Sequence, residues 1–269
     1  MLKQLLLSVF PSAENTIEVQ ELQIQSLQRE LDALKQQHNK LTFDPLEDGI
    51  SRLTLIDFMG GDLSVANDAR ASFDRVSPEL TEKDKKLIHY LIHHEHHSPL
   101  RGTVFKFKVK APLSVARQWW KYCVASAHVE EQNQWNESSF RFLDMSSKAE
   151  FYIPNTLRQQ STDNRQCSSG ELDPGVNTHA LEKYESSLQR SLDDYRHLVD
   201  LGVAREQARN LLPPAVYTSW VWTASLQTVL HFCDQRLGEG AQHEIAAYAR
   251  AVRDVIQVKC PVVYEAWVS

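Results

Sequence analysis

Two neighbouring stretches of the sequence combine charged and hydroxyl side chains at spacings that could build a polar pocket. In the first, Arg117 and Lys121 are four residues apart, so they share one face if this segment is a helix. In the second, Glu137, Ser139 and Arg141 alternate along the chain and would point to one side of a strand. A guanidinium group can bind a phosphate through two parallel hydrogen bonds. The residues indicate either a phosphate-binding pocket or a surface ladder of ion pairs, and the pattern alone favours the ladder.

Two more arginines could contribute to such a pocket from the second half of the chain. Arg209 and Arg236 each lie near the end of a predicted helix. A cation there can act simply as a partner of the helix dipole, or its side chain can reach into a pocket. Spacing does not decide between these alternatives.

A cluster of histidines could in principle bind a metal ion. Its members are His89, His93, His94, His96 and His97. Histidines three or four residues apart on a helix can share a metal, but the HExxH pattern of zinc proteases is not met. The residue in the second histidine position is a serine, and no partner carboxylate or cysteine is marked elsewhere. We therefore interpret the cluster as a polar helix end and predict no metal site.

The elements that must position these residues follow from hydrophobic periodicity and turn signals. Strands are predicted at residues 53–57, 104–109, 138–143 and 214–224. Helices are predicted at residues 62–73, 81–94, 114–125, 178–201, 225–237 and 240–258, and a loop at 158–175. Interleaved strands and helices predict an α+β (mixed α/β) domain, with helices flanking a central sheet.

Length, charge and cysteine content limit the class of protein. The chain has 269 residues and a net charge of −6, which argues against a general nucleic-acid-binding protein. Its four cysteines form no CxxC pair, so reduced thiols are expected. No apolar run approaches the length of a membrane helix or of a signal peptide. We expect a soluble, cytoplasmic protein.

The N-terminal segment differs in composition from the rest of the chain. Apolar residues recur at a seven-residue spacing from Ile17 to Leu41, with Gln20 and His38 as polar defects. This pattern predicts a helix that pairs with its own copy, an amphipathic helix packed on its own domain, or a frayed, solvated extension. The Phe43-Asp44-Pro45 sequence ends it. We therefore predict an N-terminal extension at residues 1–45 and a main domain at 46–269.

From Ile50 to Ala266, the sequence resembles the flavin-dependent thymidylate synthases. The resemblance depends on short elements that occur in the order of that family. They include Ala69–Phe73, Lys110–Pro112, Val115–Trp119, Asn136–Arg141, Leu212-Pro213, Trp222-Thr223, Leu230–Phe232 and Ala241–Ile245. No single element is specific, but their order is difficult to explain by chance.

The sequence departs from the family at the family's best-known motif. An arginine-histidine-arginine triplet is expected there, and Lys121-Tyr122-Cys123 stands in its place. Nine residues, 127–135, separate Ser126 from Asn136, where the family has one. Ser225 occupies a position at which an asparagine is expected.

The resemblance implies a specific activity. Such enzymes convert dUMP to dTMP with methylenetetrahydrofolate as carbon donor, FAD as cofactor and NADPH as reductant, and without an enzyme cysteine that attacks the pyrimidine. The family is homotetrameric, with FAD and nucleotide bound between subunits. Two alternatives remain open: a C5-methylase or hydroxymethylase of another pyrimidine nucleotide, such as UMP, and a nucleotide-binding paralogue without catalysis.

The resemblance also assigns residues to the two ligands. By family position, Arg236 lies at the uracil edge, where its charge would favour the N3-deprotonated base. The nucleotide would contact Gln118, Trp119, Trp120, Lys121, Glu137, Ser138, Ser139, Phe140, Arg141, Arg209 and Arg236. The flavin would contact Ser72, His96, Ser98, Lys121, Tyr122, Cys123, Glu137, Ser225, Leu226, Gln227 and His231.

Overall fold

The computed structural model describes residues 24–25, 27–28, 41–124 and 134–269, with side chains described up to Tyr122 in the first long range. The chain divides into two units, Met1–Leu41 and Thr42–Ser269. In the first unit, residues 24–25 and 27–28 are helical, Leu41 has no regular structure, and Ile24 and Leu27 are exposed. The other residues of the predicted heptad segment lie outside the described residues. The second unit begins at Thr42, four residues ahead of the predicted boundary.

The second unit is built on a central antiparallel sheet. The strands, in chain order, are β1 (Thr42–Phe43), β2 (Arg52–Met59), β3 (Val104–Pro112), β4 (Gln134–Glu137), β5 (Arg158–Gln160), β6 (Ser168–Glu171) and β7 (Tyr217–Ser225). The sheet has the order β1-β2-β3-β7-β4, and β5 and β6 form a separate exposed hairpin. The predicted mixed α/β class, with a central sheet flanked by helices, is confirmed.

Residues 41–124 and 134–269 contain nine α-helices. They are α1 (Asp62–Arg70), α2 (Glu82–His93), α3 (Leu113–Val124), α4 (Met145–Lys148), α5 (Pro174–Asp200), α6 (Arg205–Ala208), α7 (Leu226–Leu237), α8 (His243–Lys259) and α9 (Pro261–Val268). Short 3₁₀ turns occur at Ala71–Phe73, Ser98–Gly102 and Arg209–Leu211. Within the described ranges, no helix combines the length and the apolar composition that crossing a bilayer requires.

Aromatic packing against one face of the sheet forms the core. Phe107 on β3 pairs with Trp222 on β7, and both side chains are fully buried. Trp119 of α3 lies over these strands, with its ring 5.2 Å from the Trp222 ring and 4.3 Å from the Phe232 ring. Because Trp119 is fully buried, it fixes α3 to the sheet and to α7.

Local signals explain where several helices begin and end. Thr81 caps α2 in a capping box with Asp84, whose buried carboxylate also pairs with Arg70 of α1. Gly202 follows α5 with φ +84°, a left-handed conformation that glycine adopts without strain. The end of α5 is closed by the Val203 N–H, which donates to the Leu198 carbonyl at 2.9 Å.

Two predicted elements differ from the structure. The strand predicted at 138–143 is wrong, because pairing with β7 covers only Gln134–Glu137 and the chain then turns away from the sheet. The loop predicted at 158–175 contains the β5–β6 hairpin, whose polar residues are exposed on both faces and leave no hydrophobic alternation to detect. Helix α9 was not predicted, although Pro261 is a typical first helical residue.

The two adjacent tryptophans of α3 provide a test of the core. Trp119→Ala should lower the free energy of unfolding by about 3–5 kcal/mol, because it empties an enclosed aromatic site. Trp120→Ala is the matched control, because Trp120 is 42% exposed. Trp120→Ala should lower the free energy of unfolding by less than about 1 kcal/mol. Urea denaturation followed by circular dichroism measures both, and equal losses would contradict the assigned packing.

Candidate functional site

A cavity of about 580 Å³ collects most of the polar residues assigned to the nucleotide. We call it the arginine cavity. It is lined by Leu113, Arg117, Glu137, Ser138, Ser139, Phe140, Arg141, Arg209, Asn210 and Leu212. Six of the eleven predicted substrate residues therefore lie together, although they come from distant parts of the chain.

The segment after β4 positions three of these side chains. The Ser138 N–H donates to the Ser219 carbonyl at 2.8 Å, which is the last backbone contact with β7. The Phe142 and Leu143 N–H groups then both donate to the Ser139 carbonyl at 3.0 Å, so the chain forms a tight turn. Ser139 and Arg141 lie in a turn and not on a strand face, and they still reach the same cavity as Glu137.

A small second core joins this turn to Arg209. It consists of Met145, Leu192, Tyr195, Ala208, Leu212 and Val216, with Phe140 packed against it. Phe140 is the neighbour of Arg141, and Ala208 is the neighbour of Arg209. Burial of these apolar side chains therefore brings the two arginines to one cavity, which their sequence positions do not reveal.

The lining of the arginine cavity carries excess positive charge, which favours an anion. Arg117, Arg141 and Arg209 line it, and within the described part of the chain none of the three forms an ion pair. The single lining carboxylate, Glu137, accepts hydrogen bonds from the Thr218 hydroxyl at 2.9 Å and from the Trp135 Nε1–H at 3.2 Å. Three guanidinium groups around one carboxylate leave excess positive charge in a protein of net negative charge.

Arg236 lies in a separate polar cluster with residues of α3. Its Nη2–H donates to the Gln118 carbonyl at 3.1 Å, and its guanidinium carbon lies 3.9 Å from the centre of the Tyr122 ring. Its Nε–H is buried and has no hydrogen-bond partner among the residues that the structure describes. The Gln118 side chain bonds to Gln242 of the segment before α8. Burial lowers the pKa of Arg236, but a guanidinium group stays protonated in proteins.

A second cavity of about 530 Å³, which we call the histidine cavity, contains two residues assigned to the flavin, Gln227 and His231. Its other polar residues include His93, His97 and Asp234. Asp234 accepts a hydrogen bond from the Trp267 Nε1–H at 2.7 Å, and Gln227 accepts one from Arg101 Nε at 2.9 Å. The cavity is therefore lined by imidazole and amide groups, and hydrogen bonds hold the Asp234 and Gln227 side chains in place.

Other residues assigned to the flavin lie outside both cavities. Ser98 begins a 3₁₀ turn, His96 packs edge-on against Tyr90 at 5.7 Å, and Lys121 and Ser72 are exposed. The Cys123 side chain lies outside the described residues.

Several residues assigned to ligands have side chains that are buried in the core. Trp119 and Leu226 are fully buried. Ser225 is 1% exposed, and its hydroxyl accepts from the Thr228 N–H as the N-cap of α7. Any contact of these residues with a ligand would therefore depend on their backbone atoms. Trp120 is exposed and lines neither cavity.

The histidine cluster behaves as a helix end. The Nδ1 atoms of His93 and His94 lie 2.7 and 2.9 Å from the carbonyls of His89 and Tyr90, one turn earlier. Among the residues that the structure describes, no group of three or more His, Cys, Asp or Glu side chains is arranged to hold a metal ion.

Sequence reasoning missed some lining residues. Arg117 was recognised as a cation of α3 but not assigned to the nucleotide, and Asn210 and Asp234 were not assigned to any site. Arg117 had a detectable signal, because it begins the same helix face as Lys121. Asp234 had none, because only the docking of α9 brings Trp267 onto it.

Comparison with known proteins adds independent information. The family model described as "Thymidylate synthase complementing protein" matches residues 54–262. The chain is 37% identical over 217 residues to a flavin-dependent thymidylate synthase of Thermosipho africanus, covering 81% of this chain and 90% of the relative. It is 38% identical over 227 residues to an enzyme of that name from Thermus thermophilus, covering 84% and 78% of the two chains.

A solved structure shares the fold. The UMP/dUMP methylase PolB from Streptomyces cacaoi, bound with 5-Br UMP, superposes with a TM-score of 0.67 at 25% identity. The match covers 80% of this chain and 93% of PolB.

The arginine cavity should bind small anions. For inorganic pyrophosphate, Arg209→Ala should raise the Kd at least about 10-fold, because a charge-assisted hydrogen bond is lost. Arg205→Ala is the matched control, because Arg205 lies one turn away and faces Asp144 at 3.8 Å. It should change the Kd by less than about 2-fold. Isothermal titration calorimetry measures both, and equal effects would show a general charge effect without a defined site.

Proposed function

Because the chain belongs to the family of flavin-dependent thymidylate synthases, we propose that it converts dUMP to dTMP by reductive methylation. The carbon donor would be methylenetetrahydrofolate, the reductant NADPH and the bound cofactor FAD. The observation that carries this proposal is the arginine cavity, which is lined by three guanidinium groups that form no ion pairs among the described residues. A nucleoside monophosphate supplies the anion that such a cavity lacks.

The proposed nucleotide site uses the turn after β4 and the turn after α6. Arg141, Arg209 and Arg117 would hold the phosphate, and the hydroxyls of Ser138 and Ser139 would complete its hydrogen bonds. Glu137 is held by Thr218 and would accept a hydrogen bond from the sugar. Phe140 would act indirectly, because its ring anchors the turn in the second core.

Arg236 would act on the pyrimidine. Methylation at C5 requires an electron-rich ring, and a cation beside the uracil edge favours the N3-deprotonated form. The Gln118 carbonyl accepts only one of the five N–H groups of this guanidinium group, so another N–H could donate to a base carbonyl. In a water-poor site, such a charge acts more strongly than on the surface.

The described residues also suit FAD. The histidine cavity offers His97, His231 and Gln227, and Lys121 and Tyr122 lie at the end of α3. The Nε–H of Arg236, beside Tyr122, has no hydrogen-bond partner among the described residues, which supports a further polar group in this region. Ser98, His96 and Ser72 would contribute through the surface outside the cavity. When bound, FAD would carry the hydride that completes the methyl group.

A cysteine nucleophile is not part of this proposal. Cys233 and Cys260 are fully buried, and burial raises the pKa of both thiols, so neither can serve as an accessible thiolate. Cys167 directly precedes the exposed hairpin strand β6. By the resemblance, Cys123 would only contact the flavin, so reaction at the pyrimidine would depend on positioning and charge.

We further propose a cytoplasmic homotetramer with sites between subunits. Large apolar side chains such as Phe73, Val76 and Phe142 are more than 70% exposed in the single chain. Exposed apolar groups of this kind suit burial between subunits. Phe142 follows Arg141 directly, so an interface there would adjoin the arginine cavity. No nucleic acid or membrane is a partner in this proposal.

UMP is the second candidate substrate. The match to PolB, named a UMP/dUMP methylase, favours it, and Lys121-Tyr122-Cys123 departs from the triplet of the family. The two nucleotides differ only at the 2′ position of the sugar, next to which Glu137 would lie.

The proposed activity is tested by incubating the purified protein with FAD, NADPH, methylenetetrahydrofolate and either dUMP or UMP. We expect dTMP from dUMP, detected by mass spectrometry, and the visible absorption of a bound flavin. Methylation of UMP at a higher kcat/KM would replace the first proposal with the second. A protein that cannot be reconstituted with FAD and yields neither product would indicate a paralogue without catalysis.

The role of Arg236 is tested in the same assay. Arg236→Ala should lower product formation at least about 100-fold, which is the effect of losing one key electrostatic contact. Arg253→Ala on α8 is the control, because that side chain forms an ion pair with Asp254 at 2.9 Å and lines neither cavity. A folded Arg236→Ala enzyme with nearly normal turnover would remove this residue from the mechanism.

The unit boundary allows a test of the N-terminal segment. Removal of residues 1–41 leaves β1 and the rest of the sheet intact. A heptad segment with two polar layers is marginal by itself, so the truncated protein should keep its tetrameric mass and its flavin. Light scattering measures the mass. A monomer without flavin would show that the N-terminal segment organises the assembly.

A further inference from the structure

We propose that Tyr122 is a positioning residue that holds Arg236 in the orientation needed at the pyrimidine. This inference rests on the proposed function, because it concerns the same base-binding cation. It goes beyond the family resemblance, which implies a histidine at this position and only a flavin contact for it.

The contact between the two side chains is close. The guanidinium carbon of Arg236 lies 3.9 Å from the centre of the Tyr122 ring, well within the range of a cation–π interaction. Arg236 donates one hydrogen bond, from Nη2 to the Gln118 carbonyl at 3.1 Å. Within the described residues it forms no ion pair, so ring stacking and a single hydrogen bond fix its charged group.

Helix α3 supplies both of these contacts. Gln118 and Tyr122 are four residues apart, so they lie on one face of the helix, opposite Arg236 of α7. Trp119 between them is locked in the core against Phe232 of α7. The buried tryptophan therefore sets the distance between the two helices, and the carbonyl and the ring of α3 set the angle of the guanidinium group.

The chemistry of a phenol ring suits this role. The face of the ring carries partial negative charge and attracts a guanidinium group, while the ring itself remains neutral. An imidazole at the same position could carry a positive charge of its own and repel Arg236. His231 on α7, 6.3 Å from the Tyr122 ring, and Lys121 already place potential or formal positive charge nearby. A neutral aromatic group limits the repulsion around Arg236.

The arrangement orients the N–H groups of Arg236 that Gln118 does not use. Stacking occupies the face of the guanidinium group, and the Gln118 carbonyl accepts one of its five N–H groups. A ligand carbonyl that accepts from another of these groups then meets a cation that is already oriented, so less conformational entropy is lost on binding. Loss of the ring should therefore weaken nucleotide binding through Arg236.

The test is a double-mutant cycle on the affinity for dUMP, measured by isothermal titration calorimetry with the full-length protein. Tyr122→Leu should weaken dUMP binding about 10-fold, the upper part of the range for a partly desolvated cation–π contact. Tyr122→Phe keeps the ring and should restore most of that affinity. In the Arg236→Ala background, Tyr122→Leu should have little further effect. Tyr264→Leu, which removes a half-buried tyrosine of α9 outside both cavities, is the matched control and should bind dUMP like the wild type.

A second cycle uses the ligand-free protein. The same variants should show coupling between Tyr122 and Arg236 in the free energy of unfolding, because the contact exists without ligand. Three outcomes overturn the inference: normal dUMP binding by Tyr122→Leu, an equal loss in Tyr122→Phe, or additive losses in the binding cycle. A wild-type protein that binds neither dUMP nor UMP would instead refute the proposed function and, with it, the role of Tyr122 at the base.

Discussion

The antiparallel pairing of β3 with β7 is the constraint on which the rest of the structure depends. It runs without interruption from Val104 opposite Ser225 to Pro112 opposite Tyr217. Each strand continues directly into a helix, β3 into α3 and β7 into α7. The inward-facing Phe107 and Trp222 form the surface on which Trp119 packs. Because the helices begin where the paired strands end, one register brings Gln118 and Tyr122 to Arg236.

The arginine cavity concentrates positive charge within an acidic protein. The chain has a net charge of −6, yet three arginines share one cavity with a single carboxylate. Their mutual repulsion is limited, because a partly open cavity is screened by water. The apolar second core around Leu192, Tyr195 and Val216 stabilises this arrangement, because it binds the two turns that carry Arg141 and Arg209. Hydrophobic burial thus keeps like charges together.

The departure from the family triplet changes the side chains around Arg236, while Arg236 itself is present. A tyrosine supplies an aromatic face where the resemblance implies an imidazole, and Lys121 and Cys123 stand where it implies two arginines. The segment that separates Ser126 from Asn136 ends in Trp135, whose ring stacks on Trp220 at 4.5 Å. The last residues of this longer connection belong to β4, which pairs with β7 at the edge of the sheet.

The sequence by itself determined the elements whose signals are local. The capping box at Thr81, the glycine after α5 and the alternation along β3 need only neighbouring residues, and the structure confirms them. It also determined which residue types could bind a phosphate. Only the tertiary structure decided that Trp119 is buried while Trp120 is exposed. Both residues are tryptophans, and only the docking of α3 distinguishes them. The tertiary structure likewise decided that Arg141 and Arg209 share a cavity and that Arg236 stacks on Tyr122, because contacts between segments far apart in the chain depend on packing, which no local pattern contains.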